Sequence, residues 1–378
     1  MKKKSKVIIF ALGGNEISPI EIDENTGKLI IQDLPAQWKR TSNTCEIIAD
    51  FIKENQDCHY IITHGNGPQI GNILLRSEYS SQHLFKLPLD VCGADSQGAL
   101  GYMLAQLSNS LKIRDLDINT AEIITQVEVD SNDSAFSNPT KFIGPPLSKD
   151  QAQSIMNENP NFTAKFYQIL KNSNISDLDT GKNKEVWRRV VPSPKPIGII
   201  EIDIIEACFL SGNIPITVGG GGIPVLKVAP QKNKNHETYI CNYQISYNRP
   251  FSEKSPLSIF KGVEGVVDKD LSSSLLGKMI LERSISRGNP LEVELVILTN
   301  VDSVKINFQE KNEKSLSLLS LEEVTSFFKS NEFQEGSMRP KIESILNFLN
   351  AGGKKAYITK VELLEKTFRG EAGTTFTN

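Results

Sequence analysis

The sequence predicts an α/β protein, a three-layer α/β/α sandwich around a mainly parallel sheet. Short apolar runs of strand length alternate along the chain with longer segments whose apolar residues recur at helical spacing. Such alternation is typical of parallel strands joined by helices that cover both faces of a sheet. In addition, glycine-rich turns directly follow three of the predicted strands, which marks junctions between a strand and the next element.

The individual elements follow from these two periodicities in chain order. The predicted strands are the short apolar runs at residues 6–12, 60–63, 122–129, 214–218, 293–299 and 356–359. The predicted helices carry apolar side chains along one stripe, at residues 38–55, 68–80, 91–107, 201–210, 271–283 and 341–349. The two sets interleave, as parallel strands with helical connections require.

Two polar stretches interrupt this rhythm within what we expect to be one domain over residues 1–378. Residues 131–196 are rich in Pro, Asn and Ser and predict an inserted, protruding subdomain or lid. Residues 227–261 are polar and predict an extended surface insertion between two strands. Both stretches therefore lie outside the predicted sandwich.

The composition narrows the possible functions. The 378 residues are 39% hydrophobic and 23% charged, which is ordinary for a globular protein. Lys and Arg number 42 against 45 Asp and Glu, a net charge of −3 that disfavours nucleic acid or a membrane surface as partner. No apolar run reaches the ~18 residues of a membrane span.

The five cysteines indicate neither a metal site nor a disulfide framework. Their number is odd and no two form a CxxC pair. The basic N-terminus runs into too short an apolar stretch for a signal peptide. We therefore expect a cytoplasmic protein with reduced thiols.

Three glycine turns carry the main chemical signal. They follow the strands near residues 12, 64 and 217, and they contain Gly13, Gly14 and Asn15; Gly65, Asn66 and Gly67; and Gly219, Gly220 and Gly221. In a parallel sheet these turns share the carboxyl edge, where glycine lets backbone N–H groups approach an anion. The plainer alternative is that strand–helix junctions simply need glycine. Neither GxxxxGK[ST] nor GxGxxG is present, so any nucleotide would be bound in another way.

Three lysines lie in ordered contexts that suit phosphoryl transfer. Lys141 follows Asn-Pro-Thr, Lys269 lies between Asp268 and Asp270, and Lys341 begins a predicted helix. Each alone could be a solvated surface charge, but transfer between two anions needs such cations. The chain has no GxSxG elbow, no HExxH and no Cys/His dyad. A carboxylate acceptor needs no general base, so these residues point towards a kinase that forms an acyl phosphate.

Long motifs along nearly the whole chain resemble the carbamate kinase family of the amino acid kinase superfamily. They include ALGGN at 11–15, THGNGPQIGN at 63–72, NPTK at 138–141, WRRVVPSPKP at 187–196 and DKDL at 268–271. The resemblance implies the amino acid kinase fold with a protruding subdomain, and a homodimer. It implies the reaction ATP + carbamate ⇌ ADP + carbamoyl phosphate with Mg²⁺, run towards ATP in arginine breakdown by the arginine deiminase pathway.

The resemblance also implies roles for individual residues. The turns at 13–15 and 65–67 would hold the carbamoyl and transferred phosphoryl groups. Lys141 would reach the phosphoryl group, Lys269 would stabilise the transition state, Asp270 would position lysines and Lys341 would contact nucleotide phosphates. The implied nucleotide-binding residues are Gly219, Gly220, Gly221, Ser337, Met338 and Arg339. The resemblance implies no protein ligand for a metal.

Three positions depart from the family pattern, and they keep two alternatives open. Arg339 stands where the family usually has Gly, Asp95 where it commonly has Met, and Asn300 where it commonly has Asp. One alternative is a non-catalytic homologue with a regulatory or assembly role. The other is a related kinase with a different acceptor, such as acetylglutamate or a phosphate monoester. The retained Lys141, Lys269 and their neighbours favour an active carbamate kinase.

Overall fold

The computed structural model describes residues 5–17, 21–22, 29–30, 33–159, 162–170, 184–232, 236–250, 258–308, 312–333 and 338–378. The strands in these ranges are β1 Lys6–Leu12, β2 Glu21–Ile22, β3 Leu29–Ile30, β4 Cys58–His64, β5 Thr120–Ile123, β6 Gln126–Val129, β7 Lys141–Leu147, β8 Ala164–Leu170, β9 Lys184–Val191, β10 Pro196–Ile199, β11 Ile214–Thr217, β12 Ile223–Val228, β13 Gln231–Lys232, β14 His236–Ile240, β15 Ser246–Pro250, β16 Ile259–Gly262, β17 Glu292–Leu298, β18 Val304–Ile306, β19 Lys314–Leu316, β20 Leu318–Ser320, β21 Lys355–Thr359 and β22 Thr374–Thr377. The α-helices are α1 Leu34–Glu54, α2 Gly67–Tyr79, α3 Leu89–Leu104, α4 Leu107–Ile113, α5 Lys149–Glu158, α6 Ile202–Leu210, α7 Lys269–Ser286, α8 Leu321–Lys329, α9 Met338–Asn350 and α10 Leu364–Phe368.

An eight-stranded sheet forms the middle layer, in the order β20-β22-β21-β17-β1-β4-β11-β5. The pairings are parallel except that of β21 with β22. The register sets Leu12 of β1 beside His64 of β4 and Leu298 of β17. The carboxyl ends of these central strands therefore lie level at one edge of the sheet.

Helices cover both faces of the sheet because successive side chains of β1 point to opposite sides. Ile8 and Phe10 pack with the α1 side chains of one buried cluster. Ile9 packs in a second cluster with Leu276 of α7 and Ile345 of α9. These two buried clusters confirm the predicted three layers.

One predicted strand, residues 122–129, is wrong as a single element. β5 belongs to the eight-stranded sheet, whereas β6 belongs to a second sheet of order β10-β6-β12-β16. The break falls at Thr125, whose backbone N–H and C=O bond the side chain of Gln97 at 2.8 and 3.1 Å. Because a side chain takes these backbone bonds, the chain leaves one sheet and enters another.

The predicted insertion at 131–196 contains a separate antiparallel sheet of order β7-β9-β8. Helix α5 packs against it and begins with a capping box between Ser148 and Gln151. Lys141 is the first residue of β7, so this small sheet, which we call the subdomain, carries one of the predicted lysines.

The predicted insertion at 227–261 contains the three-stranded antiparallel sheet β13-β14-β15. It connects β12 to its antiparallel partner β16, so it leaves and re-enters the second sheet at one end. Asn242, just after β14, donates a hydrogen bond to Asp90 of α3 at 3.4 Å. Across the described ranges, no helix has the length and apolar character to cross a bilayer.

Candidate active site

A cavity of about 610 Å³ opens at the carboxyl edge of β1, β4 and β17, beside the subdomain. This volume suits a small-molecule ligand. Among its lining residues are Gly13, Gly14, Gly65, Asn66, Gly67, Lys141, Arg188, Gly220, Asp268, Lys269, Asp270, Asn300, Met338 and Lys341. The fold thus brings together residues that lie more than 300 positions apart in sequence, such as Gly13 and Lys341.

The first two glycine turns pack backbone against backbone at the cavity floor. A Cβ on Gly13 would lie 2.9 Å from the carbonyl oxygen of Leu298, and one on Gly14 would lie 3.3 Å from the Cα of Gly67. Gly67 has a φ of +34°, which favours glycine. These close approaches exclude side chains and leave backbone groups facing the cavity.

Two helices begin at the cavity. Asn66 precedes α2, and Asp268 is the N-cap of α7. The positive end of the helix dipole makes such N-termini favourable for anions, and at α7 the Asp268 carboxylate already accepts from the first N–H groups. The cavity is therefore suited to a phosphate group even before its side chains are considered.

Asp270 is ion-paired with two lysines at the centre of the cavity wall. Lys269 Nζ lies 2.8 Å from Asp270 Oδ1, and Lys341 Nζ donates to Asp270 Oδ2 at 2.7 Å. Lys269 also donates to the carbonyl oxygen of Ala11 at 2.8 Å. Asp270 thus links α7, α9 and β1 and fixes both ammonium groups.

Burial and pairing set the ionisation of this cluster. Burial alone would raise the pKa of Asp270, but Lys269 and Lys341 outweigh it and lower that pKa far below its usual range. Burial lowers the pKa of Lys269, with Asp270 opposing the shift. For Lys341, Asp270 outweighs burial and the pKa rises. Asp270 therefore stays ionised, and its carboxylate favours the charged form of both lysines.

The subdomain supplies the third lysine. Lys141 Nζ donates to Asp268 Oδ2 at 2.6 Å across the cavity. Burial would raise the pKa of Asp268, but Lys141 outweighs it and the pKa falls. Three ammonium groups therefore share two carboxylates, and the excess of positive charge favours an anionic ligand.

Sequence reasoning missed Arg188 of β9 and the carboxylate of Asp268. Arg188 lines the cavity and donates through Nε and Nη2 to the carbonyl oxygen of Gly144, at 3.1 and 2.8 Å. Its guanidinium lies 5.1 Å from the ring centre of Tyr167, and burial lowers its pKa. The motifs at 187–196 and 268–271 contain both residues, but only the fold brings them to the cavity.

His64 is not placed to act as a general base. Its side chain is fully buried, and Nδ1 lies 3.1 Å from the carbonyl oxygen of Gly65. Burial lowers its pKa to about 4, so the ring is neutral at pH 7. A Cβ on Gly219 would lie 2.6 Å from His64 Nε2, so the glycine leaves room for this ring.

The structure places only some of the predicted nucleotide-binding residues on the cavity wall. Gly220 and Met338 line the cavity, whereas Gly219 lies against His64 and Gly221 against the carbonyl of Val267. Ser337 and the side chain of Asn15 lie outside the described residues.

The structure places the side chain of Arg339, a predicted nucleotide-binding residue, against α8. Its guanidinium stacks on Phe328 of α8 at 4.1 Å and donates to Asn331 Oδ1 at 2.8 Å. Of the other two departures, Asn300 lines the cavity and Asp95 is exposed on α3. The side chain of Arg339 therefore braces α9 against α8 instead of lining the cavity.

The three-layer fold places a lysine-rich cavity at the carboxyl edge of its sheet, as a phosphotransferase requires. No family model matches the chain. Carbamate kinase from Lentilactobacillus hilgardii is 35% identical over 372 residues, 98% of this chain and 96% of that protein. Carbamate kinase from Latilactobacillus sakei is 34% identical over 98% of both chains. A structure of carbamate kinase from Giardia lamblia bound to AMP-PNP is 29% identical, with a TM-score of 0.74 over 99% of both chains. The chain belongs to the carbamate kinase family.

Proposed function

We propose that the cavity catalyses reversible phosphoryl transfer between ATP and carbamate, giving ADP and carbamoyl phosphate. The observation that carries the proposal is the gathering of Lys141, Lys269 and Lys341 around glycine turns in one cavity. Membership of the carbamate kinase family supports the choice of acceptor.

The chemistry requires no proton transfer by the protein. In the direction of ATP formation, an oxygen of the ADP β-phosphate attacks the phosphorus of carbamoyl phosphate. The bond from phosphorus to the carbamoyl oxygen breaks, and that oxygen leaves with its electron pair as carbamate. Nucleophile and leaving group are both anions, so the step needs no general base, and the buried, neutral His64 is not required as one.

The lysines offset the charge on the transferring group. The phosphoryl group spreads negative charge over three oxygens in the transition state, so fixed cations there lower the barrier. We assign Lys269 and Lys141 to these oxygens and Lys341 to the nucleotide phosphates. Asp270 holds Lys269 and Lys341 in position through its two oxygens.

The glycine turns and Arg188 provide further contacts to the acyl phosphate. The backbone N–H groups of Gly14 and Gly67 and the start of α2 hold phosphoryl oxygens. Arg188 contributes a guanidinium that faces the same cavity from the subdomain.

The nucleotide brings Mg²⁺ with it in this proposal. Asp268 and Asp270 line the cavity, but each is ion-paired with a lysine at 2.6 to 2.8 Å. Nucleotide phosphate oxygens would therefore supply most of the ligands, as is usual for Mg²⁺ in kinases. Bound there, the ion would neutralise phosphate charge.

The nucleotide itself would extend past Gly220, Asn300 and Met338.

We propose that the physiological direction is towards ATP, in the breakdown of arginine or a related compound. An acyl phosphate is a more energetic phosphoryl donor than ATP, so this direction is favourable. Support comes from the family resemblance and from this chemistry. Measured rates in both directions at equal saturation would test the proposal.

We further propose a homodimer through α3 and the edge strand β5. Tyr102 on α3 is 62% exposed, and Ile124 after β5 is 43% exposed. β5 ends the eight-stranded sheet, so this face is free for a second copy within the described part of the chain. Sedimentation of the wild type and of Tyr102→Asp would test it, with dissociation expected in the variant.

The deciding experiment is ATP formation from MgADP and carbamoyl phosphate with purified protein. We expect rapid ATP formation that is lost in Lys269→Ala. A panel of acyl and monoester phosphates distinguishes the acceptor, and carbamoyl phosphate should be the best donor. Absence of ATP from folded wild-type protein would refute the proposed activity and favour a non-catalytic homologue.

A further inference from the structure

Asp268 is the point at which the subdomain meets the first turn of α7. Its Oδ1 accepts hydrogen bonds from the backbone N–H groups of Asp270 and Leu271, at 2.9 and 3.4 Å. Its Oδ2 accepts from Lys141 Nζ at 2.6 Å. One carboxylate therefore caps a helix of the core and pairs with a lysine of the subdomain.

The backbone of Asp268 is held rigidly. The carbonyl oxygen of Asp268 accepts from Ser272 N–H at 3.0 Å within α7. Ser272 Oγ in turn donates to Gly221 O at 2.8 Å, and a Cβ on Gly221 would lie 3.2 Å from the carbonyl carbon of Asp268. The glycine turn packed behind α7 thus fixes the position of the carboxylate.

Lys141 has more freedom than the other two lysines. It has a four-carbon stem with several rotatable bonds, and its side chain is 33% exposed. Lys269 and Lys341 pair with Asp270, whereas Lys141 pairs with Asp268. A flexible ammonium group stabilises a transition state efficiently only if a second group holds it in position before the reaction begins.

We propose that Asp268 is a positioning residue for the kinase reaction: it holds the Lys141 ammonium at the rim of the cavity so that its remaining N–H groups face the transferring phosphoryl group. The inference rests on the proposed function and deepens it. Asp268 itself does not touch the substrate, because both of its oxygens are engaged with protein donors.

A positioning role and a substrate-binding role predict opposite changes in KM. Removing the charge of Asp268 leaves one carboxylate against three ammonium groups, which increases the attraction of the cavity for an anion. Asp268→Asn should therefore lower kcat about tenfold while the KM for carbamoyl phosphate stays equal or falls. General damage to the site would raise KM.

Asp268→Asn is a matched substitution because Asn is as good a helix N-cap as Asp. Asp150→Asn, which removes an exposed carboxylate from the first turn of α5, is the control and should leave kcat unchanged. If Asp268→Asn fails to fold, Asp268→Ser keeps the cap and removes the charge in the same way.

A double-mutant cycle with Lys141→Ala isolates the pair. If Asp268 acts through Lys141, Asp268→Asn should have no further effect on kcat in the Lys141→Ala background. An equal loss of kcat in both backgrounds would overturn the proposal. A higher kcat in Asp268→Asn alone would also overturn it, because the carboxylate would then restrain Lys141 instead of positioning it.

A second measurement does not depend on catalysis. A paired ammonium reacts slowly with an acylating reagent, so mass spectrometry should find Lys141 labelled several times faster in Asp268→Asn, with Lys149 as an internal reference. An unchanged labelling rate would overturn the proposal even in an inactive protein. Failure of the proposed function would instead show as absent ATP formation with the labelling difference retained.

Discussion

The two sides of the cavity hold their cations in different ways. On the core side, Lys269 and Lys341 share the buried carboxylate of Asp270, and their side chains are 10% and 18% exposed. On the subdomain side, Lys141 reaches across the cavity to Asp268 and is 33% exposed. One side is fixed by the central sheet, whereas the other belongs to a small separate sheet.

Because of this contrast, the core side of the cavity is rigid and the subdomain side stays adjustable. The core cations are held by α7, α9 and the end of β1, so they need no rearrangement when charge develops on a substrate. The subdomain cation is held by its ion pair with Asp268, and its remaining N–H groups are left for a substrate anion.

The largest effect on kcat should come from Lys269→Ala, which removes an ammonium group from the core side of the cavity. Loss of the ammonium also leaves Asp270 with Lys341 as its remaining lysine. We expect kcat to fall about a thousandfold, about 4 kcal/mol of transition-state stabilisation. ATP formation measures it, with Lys278→Ala on the exposed face of α7 as control. A loss below tenfold would contradict a rigid catalytic core side.

Lys141→Ala tests the subdomain side. We expect kcat to fall about a hundredfold, because the remaining core cations still stabilise the phosphoryl group. The Kd for ADP, measured by calorimetry, should stay within about twofold of the wild type. Lys149→Ala, on the exposed face of α5, is the control. A matching loss of ADP affinity would place Lys141 at the nucleotide instead.

The pH dependence of unfolding tests whether His64 is shielded from water on the core side of the cavity. Burial lowers its pKa from 6.5 to about 4, so its contribution to stability is fully present above pH 6.5 and is lost as the pH falls towards 4. Between pH 7 and 5 the wild type should lose about 2 kcal/mol of unfolding free energy through this group. Urea unfolding of His64→Gln should lack that part of the slope. The same slope in both proteins would mean that the ring reaches water.

Arg339→Gly should have the smallest effect. The guanidinium stacks on Phe328 and donates to Asn331, so its removal should cost about 1–2 kcal/mol of stability. The KM for ADP should change by less than about threefold. A tenfold change in that KM would return Arg339 to the nucleotide contact predicted from the sequence.

Much of the fold follows from local patterns. Strand β1 has the bounds that its apolar run predicts, and the glycine turns after β1 and β4 lie at the cavity because parallel strands end at one edge. The strand at 122–129 could not be divided from its pattern alone. Its break depends on two hydrogen bonds between the backbone of Thr125 and the side chain of Gln97, a residue 28 positions earlier.

Local sequence patterns were enough to predict the class of fold, the glycine turns and the lysines that suit phosphoryl transfer. Hydrophobic periodicity and turn chemistry act over a few residues, so they can be recognised in the amino-acid sequence. The partners of those lysines were decided by tertiary structure: Lys141 meets Asp268 across 127 positions and Lys341 meets Asp270 across 71. Such pairs form only when separate elements pack together, because an ion pair depends on distance in space and burial. The packing of separate elements likewise decides that Arg339 contacts α8 and that Arg188 lines the cavity.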